Sequence, residues 1–195
     1  MKTILLSAGH HPRQTGASWN GIKEHDIAMI WVNAIFTELM LMGVDVVKIT
    51  PSRLPHKVER VNAMAALRDC IAVELHFNSA GDAYVQGNET LYYPGSIAGE
   101  LLATAYNTAF MDLAKQWVIK DRGVKAGWYK MDRPGVVDFY GDKDGDEMPD
   151  YWLRKTNCPA LILEPCFMCQ LDDIGVSNWM NVAHSIAHTL ATLVD

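Results

Sequence analysis

Basic charge is what this chain most lacks. Seventeen lysines and arginines stand against 23 acids, a formal net charge of −6, the wrong sign for the basic stripe that holds a nucleic-acid backbone. Long apolar runs are missing too. None nears the roughly 20 residues that cross a bilayer, so membrane insertion is not expected. Met1-Lys2-Thr3-Ile4-Leu5-Leu6 carries one positive charge and a short apolar stretch, shorter than the core of a secretory signal. We read it as the first strand, with no signal peptide. Cysteine is sparse: four residues, at 70, 158, 166 and 169, give no clear disulfide framework. Cys70 and Cys158 read as small buried residues. Cys166 and Cys169 have the spacing of a redox or zinc pair, but no second such pair accompanies them.

What is present is enough for a full core. With 195 residues, 49% of them hydrophobic, one domain over 1–195 suffices. Apolar runs of strand length occur at Thr3–Ala8, Val44–Ile49, Cys70–Leu75, Glu89–Tyr93 and Pro159–Leu163. Between them, apolar stripes of helical spacing predict helices over His25–Met42, Pro55–Arg68 and Ile97–Gln116. A short helix through Arg154 and a last one over Val176–Val194 follow. In the first helix Ile27, Trp31, Ile35, Leu39 and Met42 form the stripe, and Gly43 is placed to stop it. Strands alternating with helices predict an α/β fold: a mostly parallel twisted sheet of about five to six strands with helices on both faces.

Three of the strand runs end on chemistry. Ser7-Ala8 leads to Gly9-His10-His11, Glu74-Leu75 to His76-Phe77-Asn78, and Leu161-Ile162-Leu163 to Glu164-Pro165. Open α/β sheets bind ligands at the carboxyl ends of their strands. Parallel strands would therefore gather His10, His76 and Glu164, with Glu24 arriving from the loop before the first helix. Two imidazoles and a carboxylate suit a catalytic zinc that keeps one position open. His10, Glu24 and His76 are the candidate ligands, and Glu164 is the candidate base that accepts a water proton. Its place after an apolar strand should raise its pKa. Other readings stand beside these. Glu24 also suits the positive end of a helix dipole, and His11 competes with His10. His184 and His188, four apart on the last helix, have a metal-binding spacing, but no third ligand is evident.

The segment Lys120–Asp150 is the least regular. Its run from Asp138 to Asp150 holds six acids against one lysine. Asp142, Asp144, Asp146 and Asp150 stand as carboxylates do in a calcium loop, although Glu147 occupies the turn position usually held by glycine. A solvated acidic loop is the competing reading.

Taken together, these residues resemble the zinc-dependent N-acetylmuramoyl-L-alanine amidases with a single α/β catalytic domain, phage endolysins among them. Ala8-Gly9-His10, Lys23-Glu24, Leu75-His76-Phe77-Asn78-Ser79 and Pro159 to Pro165 carry the likeness. Arg60-Val61-Asn62-Ala63, Gly87-Asn88-Glu89-Thr90 and Arg122-Gly123-Val124-Lys125 support it. The resemblance implies a phosphorylase/hydrolase-like fold and Zn2+ as cofactor. It implies peptidoglycan (the muramyl peptide) as partner, a monomer, and cleavage of the amide between N-acetylmuramic acid and L-alanine. It also implies synthesis in the cytoplasm and action in the periplasm or wall after release. Some relatives carry a blocking helix after the second histidine strand. Here about ten residues separate His76 from the next strand, so an open site is expected. A zinc peptidase acting on stem peptides and a non-catalytic wall- or calcium-binding module are the alternatives.

Overall fold

The five strands expected from the sequence all form, and a sixth joins them in one sheet. The computed structural model describes residues 2–82, 84–117, 119–127, 130–133, 136–138 and 151–194. In chain order, β1 (Thr3–Ala8) is followed by a small hairpin, β2 (Ser18–Trp19) and β3 (Ile22–Lys23), then α1 (Glu24–Leu41), β4 (Val46–Lys48) and α2 (Leu54–Ala65). Next come β5 (Cys70–Leu75), β6 (Asn88–Tyr92), α3 (Ile97–Ala114) with a 3-10 turn over Lys115–Trp117, and β7 (Asp121–Ala126). A two-stranded ribbon, β8 (Lys130–Arg133) and β9 (Val136–Asp138), precedes α4 (Tyr151–Lys155), β10 (Ala160–Glu164), α5 (Gln170–Ile174) and α6 (Val176–Ala191).

The main sheet has the order β4-β1-β5-β10-β6-β7. Its first four strands are mutually parallel; β6 pairs antiparallel with β10, and β7 runs parallel to β6. The result is the mostly parallel α/β sheet that the alternation of elements predicted.

Because helices cover both faces, the central strands are apolar on both. Ile4, Leu6, Ile71, Val73, Leu161 and Leu163 pack on Trp31 and Ile35 of α1, Tyr106 and Phe110 of α3, and Ile186 and Leu190 of α6. Leu5, Cys70, Ala72 and Ile162 face the other way, onto Val58 and Val61 of α2 and Trp152 and Leu153 of α4. This double burial explains why β1, β5 and β10 read as unbroken apolar runs.

Boundaries move by a few residues: α2 stops at Ala65 rather than Arg68, and β4 is confined to three residues. The larger difference is β7, an edge strand in a segment expected to be irregular. Its first residues, Asp121-Arg122-Gly123, show no apolar alternation, and its pairing to β6 carries a register shift. The acidic residues Asp142, Asp144, Asp146 and Asp150, weighed above as a calcium loop, lie outside the described residues.

Candidate metal centre

The register of the sheet brings the strand ends level. Ala8 pairs with Leu75 and Leu75 with Leu163, and the ladder continues past them: the Gly9 amide donates to Leu75 O at 2.8 Å and the His76 amide to Leu163 O at 2.9 Å. His10, His76 and Glu164 therefore leave the sheet at one edge. α1 begins at this edge because its first residues are tied to the returning loop. The Glu24 amide donates to Ala17 O and the His25 amide to Thr15 O, and His25 Nδ1 sits 2.8 Å from Gly9 O.

Glu24 is the hub. Its Oε2 lies 2.9 Å from His10 Nε2 and its Oε1 3.0 Å from His76 Nδ1. It also accepts the Ala17 amide at 3.0 Å and the Phe77 amide at 3.2 Å. The carboxylate thus bonds to neighbouring loops and two imidazoles. The side chain that formally caps α1, Lys23, makes no cap bond. The two imidazoles meet edge to face, with centroids 4.9 Å apart. One donor atom from each of His10, Glu24 and His76 lies within 4.8 Å of the others, and among the described residues this is the group that could hold a metal ion. His11 is not in it; its Nδ1 accepts the Arg13 amide. His184 and His188 are exposed on α6, and His188 faces Glu38 at 3.3 Å. Cys166 and Cys169 are buried free thiols whose pKa values burial pushes up.

Two imidazole nitrogens and one carboxylate oxygen fit the three protein ligands of a catalytic zinc. The charges fit as well. Burial opposes ionisation of Glu24, but its bonds to His10 and His76 win and hold the carboxyl far below the usual range. Burial likewise opposes charge on His76, but Glu24 and Glu74 outweigh it and raise the imidazole to about 10. Glu24, ionised between the two imidazoles, supplies negative charge that suits a divalent cation. The site opens to solvent: the His10 and His76 side chains are 28% and 15% exposed. Among the described residues no helix intervenes between β5 and β6.

Glu164, the last residue of β10, is 1% exposed. Its Oε2 has no hydrogen-bond partner, and burial pushes its pKa well above that of an ordinary carboxyl. Beside it on β6, Glu89 is also buried but receives Asn78 Nδ2, Arg122 Nε at 2.8 Å and Lys125 Nζ.

Sequence reasoning missed several residues that shape this edge. Glu74 and Lys57 are 2% and 1% exposed and lie 2.7 Å apart, Nζ to Oε1. Glu74 Oε2 reaches His76 Nε2 at 3.3 Å. The signal was available: one acid in the otherwise apolar Cys-Ile-Ala-Val-Glu-Leu run needs a buried partner. Gly9 and Gly16 are glycines for want of space. A Cβ on Gly9 would stand 2.5 to 2.7 Å from the His76 ring, and one on Gly16, whose φ is +74°, would strike His10 and Glu24.

Residues 4–194 match the family described as N-acetylmuramoyl-L-alanine amidase. The endolysin of Bacillus phage SPP1 is 26% identical over 204 residues, covering all of this chain and 66% of the phage protein, so the chain spans slightly under two thirds of that relative. Among solved structures, the amidase AmiC2 of Nostoc punctiforme superposes with a TM-score of 0.77 at 20% identity, covering 99% of this chain and 97% of that one. The catalytic domain of the amidase CwlV from Bacillus (Paenibacillus) polymyxa var. colistinus gives 0.77 at 21% identity, covering 100% and 99%. At these identities the structures speak for the fold alone.

Proposed function

The chain belongs to the N-acetylmuramoyl-L-alanine amidase family, and we propose that it is a zinc hydrolase of peptidoglycan, serving as an endolysin. It cleaves the amide between N-acetylmuramic acid and the L-alanine of the stem peptide, with residues 1–195 as one catalytic domain. The observation that most supports this reading is the meeting of His10 and His76 on Glu24 within hydrogen-bond reach, at the sheet edge that also carries buried Glu164, whose Oε2 has no hydrogen-bond partner.

His10, Glu24 and His76 would hold the ion. When bound there, zinc supplies Lewis-acid polarisation of a carbonyl and acidifies water at its open position. Glu24, bonded to the Ala17 and Phe77 amides, keeps both imidazoles in place. Glu164 takes the proton from the attacking water and passes it to the leaving nitrogen. Burial lifts its pKa, which makes it a stronger base once ionised and lets it hold the proton until the amide nitrogen receives it. Glu89 is the weaker base of the two, because its bonds to Lys125 and Arg122 pull its pKa down. The workplace is the cell wall. Among the described residues no helix is long and apolar enough to cross a membrane.

The deciding experiment is end-group analysis of purified peptidoglycan after digestion, with and without a chelator. New L-alanine amino termini that vanish on chelation are the expected result. Other new termini would shift the reading to a stem-peptide zinc peptidase. No termini at all, with zinc present, would leave a binding module.

A further inference from the structure

The lysine and glutamate buried behind the site call for an explanation that packing does not give. Lys57 of α2 and Glu74 of β5 are both essentially inaccessible, and a buried ion pair is commonly no more stabilising than a well-packed apolar pair of the same size. Their bonds point to the site. The Lys57 ammonium donates to Glu74 Oε1 at 2.7 Å and to the carbonyl of Ala8, the last residue of β1, at 2.6 Å. Ser7 Oγ adds a second donor to Glu74 Oε1, at 3.2 Å. With Oε1 so occupied, Oε2 is turned to His76 Nε2 at 3.3 Å, while the other ring nitrogen, Nδ1, faces Glu24. One lysine therefore anchors both strand ends that carry imidazoles, β1 through a carbonyl and β5 through a carboxylate.

We propose that Glu74, held by Lys57, is a positioning residue that keeps the His76 proton on Nε2 and presents the Nδ1 lone pair to the metal. The proposal rests on the metal-centre reading given above and adds the atom that ligates and the group that selects it. An imidazole has one donor and one acceptor nitrogen when neutral, and a carboxylate beside one nitrogen fixes which is which. Such carboxylate–histidine pairs behind a metal also raise ligand basicity, and their loss costs about 10- to 100-fold in metal affinity. Glu74 does not touch the reacting atoms. Its effect passes through the ring of His76.

The test compares the parent with Glu74→Gln and with the double variant Lys57→Met/Glu74→Leu, which replaces the ion pair by apolar side chains. Zinc dissociation constants are measured by competition with a chromogenic chelator. Folding is followed by circular dichroism, and nitrogen-15 NMR of the zinc-loaded parent reads the His76 tautomer. The expected results are a proton on Nε2 with zinc on Nδ1 in the parent, and a 10- to 100-fold weaker zinc constant in both folded variants. A folded double variant that binds zinc within about twofold of the parent would overturn the proposal. So would zinc on Nε2 in the parent, a measurement that needs no variant to fold. A folded parent that takes up no zinc would instead sink the metal-centre reading itself.

Discussion

Glu164 and Glu89 face each other in register across β10 and β6, both buried, and their surroundings push them in opposite directions. Glu89 is met by Arg122 and Lys125 and is held ionised, while Glu164 Oε2 has no partner and its carboxyl is pushed well up. Two carboxyls set apart in this way commonly divide the work between structure and proton transfer.

Glu164→Gln should therefore lose about 10²- to 10⁴-fold in kcat on peptidoglycan, the usual weight of a general base, while keeping its fold. It should also keep its zinc affinity, since Glu164 is outside the ligand group. A turnover assay paired with zinc titration of the same preparation checks both halves. Retained turnover would remove Glu164 from the mechanism.

Glu89→Gln tests the other member of the pair. The folded Glu89 pKa lies below its ordinary value, so the folded state binds fewer protons than the unfolded chain. Its contribution is complete above about pH 4.3 and is lost as pH falls through the folded pKa. Its partners are 33% and 39% exposed, so the contribution belongs at the lower end of charged hydrogen bonds, about 1.5 kcal/mol. Urea unfolding should show that gap at pH 7 and a shrinking one as the medium is acidified.

Gly9→Ala should force the His76 ring aside. Overpacking of this kind costs about 1 to 3 kcal/mol, or roughly 2–4 °C of melting temperature per kcal/mol in a chain of this size, and the zinc constant should weaken with it. Gly81→Ala, where an added Cβ meets nothing, is the control and should change neither. Equal behaviour of the two variants in calorimetry would count against the close fit of Gly9 on the site.

Zinc itself should stabilise the protein. At a free concentration of one hundred times its dissociation constant, an ion that binds only the folded state contributes about 2.7 kcal/mol, a rise in melting temperature of roughly 5–10 °C. Chelation should reverse it. A melting curve indifferent to both treatments would speak against the metal centre without reference to catalysis.

Cys158 offers a check remote from the site. Burial, and then the hydrogen bond with Cys70, push its thiol up to about 12. Alkylation at pH 8 should then run roughly a thousandfold slower than for a free thiol, because only the thiolate reacts. Mass spectrometry after timed iodoacetamide treatment gives the rate.

Much of this was legible in the chain because double burial leaves a plain trace. β1, β5 and β10 are apolar on both faces, so each reads as a run, and the residue where the run stops is the residue at the sheet edge. The position of His10, His76 and Glu164 at one sheet edge was read in that way. Glu24 was found from its place before an amphipathic helix, although the capping alternative could be weighed only once its oxygens were seen on Ala17, Phe77 and the imidazoles. Lys57 was hidden because one lysine on an amphipathic helix reads as solvent-facing, and its burial depends on Glu74, 17 residues on. β7 was hidden for the opposite reason to β1: an edge strand needs no apolar run, and Asp121 and Arg122 are exposed.

The place of β10 in the sheet separates the candidate base from the candidate ligands along the chain. It lies between β5 and β6, so it is the strand through which β4-β1-β5 and β6-β7 are joined in one sheet. All three candidate ligands belong to the first 76 residues. A ribosome-bound chain can therefore present them long before Glu164 emerges. On the proposed roles, a chain cut short before residue 160 would hold all three candidate ligands and lack the candidate base.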